Sequence, residues 1–128
     1  MKNTITFSFP TLPPSVNHAM LVRGYRRFPS KELTAWTKCV QNTMPITPIP
    51  LSPTGYYRLD MVFRFPLLYK NGNVRRRDCT DLVKYAEDVF CSRLLLPDGS
   101  TLDDKLIKCG SFAKEDGEES CTIAISLL

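Results

Sequence analysis

Hydrophobic and polar positions alternate along several short stretches of the chain, as they do in β-strands that bury one face. The clearest stretch is 57–65, in which every second residue is aromatic or aliphatic and most of the others are charged. A similar alternation over residues 3–9 predicts a first strand. Two further strands are predicted at about 105–113 and 120–127, separated by a turn rich in acidic residues. The pattern therefore predicts four strands.

Two other stretches repeat their apolar residues every three or four positions, which is typical of helices with one buried face. The first helix is predicted to begin after the N-cap residue Ser30 and to end near Thr43. Trp36 lies on its apolar face and is interpreted as a core residue rather than as a platform for stacking bases. The second helix is predicted over about 80–93, with an apolar face of Leu82, Ala86, Val89 and Phe90.

The segments between these elements suit neither a helix nor a central strand. Prolines recur over residues 45–53 and predict an extended connection. A loop at 13–18 leads into a basic stretch, and Asn71-Gly72-Asn73 marks a turn. The order strand, helix, strand, helix, strand, strand predicts an α+β fold: a single domain over residues 1–128, with two helices on a mixed four-stranded sheet.

The composition is that of an ordinary globular protein. With 128 residues, 43% hydrophobic and 23% charged, the chain can bury a core and is about one domain long. No apolar run approaches the roughly 20 residues that cross a bilayer, and residues 1–7 lack the features of a secretory signal. The five cysteines form neither a CxxC pair nor a cluster with zinc-site spacing. We therefore expect a cytoplasmic protein with reduced thiols and no membrane partner.

Charge is divided unevenly along the chain. Residues 1–77 carry 12 Lys or Arg and two acidic residues, net +10, whereas residues 78–128 carry five basic and 11 acidic residues, net −6. Basic surfaces attract phosphates and clustered carboxylates attract divalent cations, so a polyanionic substrate processed at a metal site would explain both halves. The alternative is two oppositely charged, solvated surfaces that attract each other.

The carboxylates of the acidic half gather in two places. Asp78 and Asp81 lie at the start of the second predicted helix, and Asp103 and Asp104 lie just after that helix, at the start of a strand. Oxygen ligands favour Mg²⁺ or Mn²⁺ over zinc, and Mg²⁺ needs only one or two protein carboxylates besides water and substrate phosphate. The sequence thus supplies enough ligands for one magnesium site.

Lys84 shares a predicted helix face with Asp81 and Asp88. Asp88 is about 10 Å along the axis from Asp81, too far to bind the same ion, so we expect it to orient Lys84. Lys84 would then stabilise negative charge on a phosphate. The alternative is an exposed helix face with ordinary ion pairs one turn apart.

Taken together, these residues resemble the RusA-type Holliday junction resolvases of bacteria and their phages. The family signature is Asp-x-Asp-Asn-x-x-Lys at a helix start, an Asp four residues later, and an Asp-Asp pair that opens the next strand. Residues 77–84 are similar to the first block, Asp88 to the following Asp, and residues 102–107 contain the pair. Residues 14–17 also resemble the family's N-terminal loop, and Lys114 stands where a strand lysine is usual. The resemblance covers nearly the whole chain.

The resemblance implies a Mg²⁺-dependent endonuclease, with Mn²⁺ as the alternative ion, that resolves four-way DNA junctions by paired cuts in a homodimer. It implies that Asp78 and Asp104 bind the metal and that Lys84 is catalytic. Asp88 and Asp103 would support these residues. A bacterial or phage protein that acts in DNA recombination and repair is expected.

This sequence departs from the family at one position that matters for the metal. Thr80 stands where the family has its second Asp, and Asp81 stands where it has Asn. One interpretation is that Asp81 is a substitute metal ligand and catalytic residue, if the helix start shifts by one residue. The other is that Thr80 is the N-cap of a degenerate site in a relative that binds branched DNA or a protein without efficient cleavage.

The basic residues supply the expected DNA contacts, which would bind phosphates without reading sequence. His18, the single histidine, is expected to be a loop residue beside DNA or solvent rather than a general base. Tyr25 and Phe28 lie among arginines, where an aromatic wedge for a junction centre would be found. Each basic residue has the alternative of a solvated surface charge. The predicted DNA-binding residues are Arg23, Arg26, Arg27, Lys31, Arg75, Arg76 and Arg77.

Overall fold

A computed structural model describes residues 3–75 and 77–128, which form a four-stranded sheet with two helices packed on one face. In chain order the elements are β1 (Thr4–Phe9), β2 (Met20–Arg23), β3 (Arg26–Pro29), α1 (Lys31–Thr43), β4 (Thr47–Pro48), β5 (Tyr57–Arg64), α2 (Thr80–Cys91), β6 (Leu94–Leu95), a 3-10 turn (Asp104–Leu106), β7 (Ile107–Glu115) and β8 (Ser120–Leu127). The predicted α+β class is confirmed. Within the described ranges, neither helix is long and apolar enough to cross a membrane.

The main sheet has the strand order β1-β8-β5-β7. Strand β8 is antiparallel to both β1 and β5, whereas β7 is parallel to β5, so the sheet is mixed as predicted. Strand β5 reaches its parallel neighbour β7 through α2, the helical crossover that parallel pairing requires. Because α2 connects the end of β5 to the start of β7, the start of α2 lies on the side of the molecule where both β5 and β7 end.

The alternation in β5 places one face of this strand in the core. Its odd-numbered residues from Tyr57 to Phe63 are at most 4% exposed, and its even-numbered residues lie on the open face. The helices cover the buried face with aromatic rings: Trp36 is 1% exposed, and its ring lies 5.3 Å from that of Phe9. The Trp36 indole N–H donates to the carbonyl of Tyr85 at 3.0 Å, which joins α1 to α2. The interpretation of Trp36 as a core residue is confirmed.

The element ends follow from local hydrogen bonds. The Ser30 hydroxyl accepts from the Leu33 N–H at 3.2 Å, which confirms the predicted cap of α1. Strand β7 begins at 107 and not at 105, because the Asp103 carboxylate accepts from the Lys105 N–H at 3.0 Å and starts the 3-10 turn instead. Helix α2 ends at 91, two residues earlier than predicted.

Two small strand pairs were not predicted. Strands β2 and β3 form an antiparallel hairpin within the stretch interpreted only as basic. Strands β4 and β6 form a parallel pair of two residues each, and β4 lies in the proline-rich connection. Both pairs are too short to produce a recognisable period in the sequence.

Strand β7 is an edge of the main sheet and approaches β5 unusually closely at Gly110. A Cβ atom built there would lie 2.8 Å from the carbonyl carbon of Leu59 and closer still to its oxygen. On the open face, Asp60 accepts hydrogen bonds from Arg58 at 2.9 Å and from the Ser111 hydroxyl at 2.7 Å. The close approach requires glycine, and the polar contacts add a side-chain link between the two strands.

The cysteines should differ strongly in reactivity because their burial differs. Burial raises the pKa of both the Cys91 and the Cys121 thiol to about 12, whereas Cys109 is exposed on β7. Since the thiolate is the nucleophile, we expect iodoacetamide at pH 8 to modify Cys109 in the folded protein, and Cys91 and Cys121 only in guanidinium. Peptide mass spectrometry measures each site. Rapid modification of Cys121 in the folded protein would contradict the burial of this thiol.

Candidate functional site

A cleft of about 1030 Å³ lies where the loop after β1, the start of α1, the first turn of α2 and the end of β7 meet. The uncharged part of its wall comes mainly from residues 11–17. The charged groups come from four separate segments of the chain. They are Glu32, Arg75, Arg77, Asp78, Asp81, Lys114 and Glu119.

Asp78 and Asp81 both line this cleft because they are three residues apart at the start of α2. The Asp81 N–H donates to the Asp78 carbonyl at 3.1 Å, which closes the first turn. The Val16 N–H donates to the Asp81 carbonyl at 2.9 Å, so the loop after β1 is tied directly to this turn. The sequence prediction that these two carboxylates lie together at a helix start agrees with this geometry.

Thr80 is exposed and is the first residue of α2, while the N-cap position is occupied by Cys79, which makes no side-chain cap. The alternative in which Thr80 caps the helix is therefore wrong. Asp81 lies in the first turn, where the helix dipole favours a negative charge. Of the two residues that depart from the family signature, Asp81 lines the cleft.

Arg77 and Lys114 supply positive charge to the same cleft. The Arg77 guanidinium carbon lies 5.1 Å from the centre of the Phe65 ring, and its Nη1 lies 3.6 Å from the Glu119 carboxylate. An exposed pair of this kind contributes only about 0–1 kcal/mol, so the Glu119 carboxylate is held only weakly. The Lys114 ammonium donates to the Arg77 backbone carbonyl at 3.4 Å, which ties the end of β7 to the segment before α2.

Arg75 is the third cation of the cleft wall. Its guanidinium carbon lies 4.8 Å from the centre of the Tyr69 ring. Its buried Nε has no hydrogen-bond partner among residues 3–75 and 77–128. An N–H group that is shielded from water and unpaired costs free energy, and this atom is not itself open to a ligand in the cleft.

Of the other predicted carboxylates, Asp88 lies further along α2, and Asp103 and Asp104 lie at the 3-10 turn before β7. Asp104 is close enough to Glu87 and Asp88 for its charge to contribute to a raised pKa in both, although burial is the larger cause. The pKa of Asp103 is lowered, chiefly by the hydrogen bond that its carboxylate accepts from the Lys105 backbone N–H. In the described portion of the chain, no three His, Cys, Asp or Glu side chains come close enough together to hold one metal ion.

Asp88 is seven residues, or about 10 Å, along α2 from Asp81. This distance gives the scale of the separation between the carboxylates near Asp88 and those of the cleft. Lys84 lies between them, is exposed, and has its ammonium 5.4 Å from the centre of the Tyr85 ring. Its charge lowers the pKa of Asp88, but less than burial raises it. Among the ion pairs of the described residues, none joins Lys84 to Asp88. The charges of Lys84 and Asp88 therefore interact without a direct ion pair.

The predicted DNA-binding residues form two groups. Arg75 and Arg77 line the cleft, while Arg23, Arg26 and Arg27 are exposed on the β2–β3 hairpin and Lys31 is exposed at the start of α1. Arg76 lies outside the described residues. His18 is exposed and contributes to the cleft rim, in keeping with the loop position expected for it.

Sequence reasoning missed two acidic residues of the cleft. Glu32 comes from the first turn of α1, and Glu119 immediately precedes β8. Neither residue is close in the sequence to the carboxylates of the predicted metal site. The spacing of residues along the chain therefore gave no indication that they belong to the cleft. Only the sheet order and the packing of α1 against α2 bring them to this place.

A scan against models of known protein families matches none of them, and a search among curated proteins finds no relative. The likeness to the RusA-type resolvases is therefore carried by the sequence motifs alone, and the family assignment stays a prediction.

Proposed function

We propose that the protein is a Mg²⁺-dependent endonuclease that resolves four-way DNA junctions by paired cuts in a homodimer. The observation that supports this most is the cleft in which Asp78 and Asp81 lie together with Arg75, Arg77 and Lys114. Cleavage of a phosphodiester needs carboxylates for a divalent ion and cations for the phosphate in one place. This cleft contains both.

The donor set of the cleft suits Mg²⁺. Two carboxylates, from Asp78 and Asp81, are within the number that Mg²⁺ usually takes from a protein, with water and substrate phosphate as its other ligands. The same oxygen ligands suit Mn²⁺. A bound ion would polarise a phosphoryl oxygen and make a water more acidic for in-line attack.

The remaining residues of the cleft would bind and orient the DNA backbone. Arg77 and Lys114 both line the cleft and would bind the phosphate to be cut, and Arg75, which also lines it, would bind a neighbouring phosphate. Lys84, one turn beyond Asp81, would attract the next phosphate along the strand. One cleft per chain makes one cut, so paired cuts in a symmetric junction need two copies.

A second candidate is a branched-DNA-binding protein that does not cut, or that binds a protein partner instead. It is favoured by the position of Asp104, which lies near Glu87 and Asp88 and not among the residues that line the cleft. Thr80 adds no charge in place of the family's second Asp. In this interpretation the cleft retains its phosphate contacts but lacks part of the metal site.

A synthetic four-way junction with each strand labelled in turn separates the two candidates. We expect two symmetric nicks in Mg²⁺ or Mn²⁺, no nicks in EDTA, and no cleavage of a linear duplex of the same sequence. Gel-shift binding in Ca²⁺ is measured in parallel. Junction binding without nicks in Mg²⁺ or Mn²⁺ would support the non-cutting DNA-binding candidate. No binding at all would overturn both DNA-binding candidates and leave only the protein partner.

A further inference from the structure

The β2–β3 hairpin forms a small sheet of its own beside the main sheet. Arg23 pairs with Arg26, and Gly24 and Tyr25 form the tip between them. Gly24 has φ +59°, a conformation that favours glycine at a tight hairpin turn. At the base, the Ser30 N–H donates to the Ala19 carbonyl at 2.9 Å, and both residues are buried. The hairpin is thus anchored at its base and free at its tip.

Apolar side chains are concentrated near this free tip. Tyr25 is fully exposed at 107% of its reference area, Val22 is 66% exposed and Leu21 is 47% exposed. Leu21 and Val22 are consecutive in β2 and lie on opposite faces, so each face of the hairpin presents an exposed apolar residue and Tyr25 lies exposed at the tip. The tip therefore has the properties of a binding element.

The charge around the tip has one sign. The sequence contains no acidic residue from Ala19 to Lys31. Because cross-strand partners share a face, Arg23 and Arg26 lie on one face of the hairpin, and Arg27, opposite Val22, lies on the other. Cations therefore flank Tyr25 on both sides.

The hairpin rises from the rim of the cleft. The residues on either side of its base, His18 and Glu32, line the cleft that also contains Asp78 and Asp81. Four residues per strand give it a reach of about 13 Å. A nucleic acid strand held in the cleft would pass within reach of the tip.

From these observations we propose that the hairpin binds unpaired nucleotides, with Tyr25 stacked on a base and the hairpin arginines on the adjoining phosphates. The proposal rests on the proposed function for its choice of a DNA substrate, but it does not depend on cleavage. Every base presents a face that stacks on an aromatic ring, and arginine suits phosphate. Bases inside a duplex are already stacked, so the hairpin would select those that open at a branch point.

The test uses three DNA probes: a four-way junction, a single strand and a linear duplex. Each probe contains the fluorescent base 2-aminopurine, which is placed at the centre of the four-way junction. In EDTA, where no cleavage occurs, binding is followed by anisotropy and stacking by quenching of 2-aminopurine. We expect Tyr25→Ala to weaken binding to the single strand and the junction about tenfold and to abolish the quenching. Tyr25→Phe retains the ring and should restore both.

Tyr56→Ala is the matched control, because Tyr56 is a 42% exposed tyrosine immediately before β5, about 26 Å along that strand from its end at Arg64. Arg27→Ala should weaken binding to the single strand and the junction more than to the duplex, and lower the salt dependence of binding by about one phosphate contact. Thermal melts check that each variant is folded.

The outcomes separate this inference from the proposed function. Quenching that depends on Tyr25, without strand cleavage in Mg²⁺, would support the hairpin site and overturn the nuclease. Cleavage with unchanged binding and quenching in Tyr25→Ala would overturn the hairpin site and leave the nuclease. If the unmodified protein binds none of the probes, both are overturned.

Discussion

Asp78→Asn is expected to reduce junction cleavage in Mg²⁺ at least about 100-fold while leaving junction binding unchanged or tighter. The substitution removes a charged ligand of the ion, and a factor of 100 corresponds to about 2.7 kcal/mol of transition-state stabilisation. It also removes a negative charge that repels the phosphate, so binding does not suffer. Single-turnover rates and gel-shift titrations on the same preparation measure the two effects separately.

Asp81→Asn should be as damaging as Asp78→Asn, because both side chains line the cleft. Thr80→Asp should then change the rate little. Glu118→Gln, an exposed position in the turn before β8, is the matched control for loss of one negative charge. Full activity in Asp81→Asn together with a tenfold or larger gain in Thr80→Asp would show that Asp81 is not a ligand.

Asp104→Asn tests the ligand set that the family resemblance implies. A loss as large as that of Asp78→Asn would show that Asp104 reaches the ion during the reaction, although it lies near Asp88. A rate like that of Glu118→Gln would restrict the metal site to the start of α2.

Gly110→Ala is expected to destabilise the protein by about 3 kcal/mol or more. The added methyl group would meet the backbone of Leu59, which cannot move aside as a flexible side chain can, so β7 would have to separate from β5. Urea unfolding followed by circular dichroism gives the free energy of unfolding.

Gly72→Ala provides the comparison for the Gly110 variant. Gly72 has φ +86° and open space around its Cβ position, so alanine there should cost only about 1–2 kcal/mol of backbone strain. A variant of Gly110 that unfolds at the same urea concentration as the unmodified protein would show that the two strands lie further apart than described here.

The parts of the fold that sequence predicted are those governed by local chemistry. The alternation in β5 and the cap at Ser30 are properties of neighbouring residues, and both agree with the structure. The hairpin was missed because four-residue strands give too short a period, and the apolar positions Leu21 and Val22 are consecutive. The start of β7 was misplaced by two residues because the Asp103 cap competes locally with the strand.

The candidate site was predictable only to the same extent. A spacing of three residues at a helix start was enough to bring Asp78 and Asp81 together. The distance from Asp81 to Asp104 depends on where the chain returns to the sheet after α2. The spacing of these residues in the sequence does not predict that position. Glu119 and Lys114 meet Arg77 only because β7 ends and β8 begins beside the start of α2.

The position of β8 between β1 and β5 has a consequence for how the chain is made. Strand β1 pairs in the main sheet only with β8, more than 110 residues later, and β5 also waits for β8 on one side. During translation the apolar residues of β1 therefore have no sheet partner until almost the whole described chain has left the ribosome. Pairing at such long sequence separation is slow. The nascent chain thus exposes an unpaired apolar strand until late in synthesis, and chains in that state are prone to aggregate.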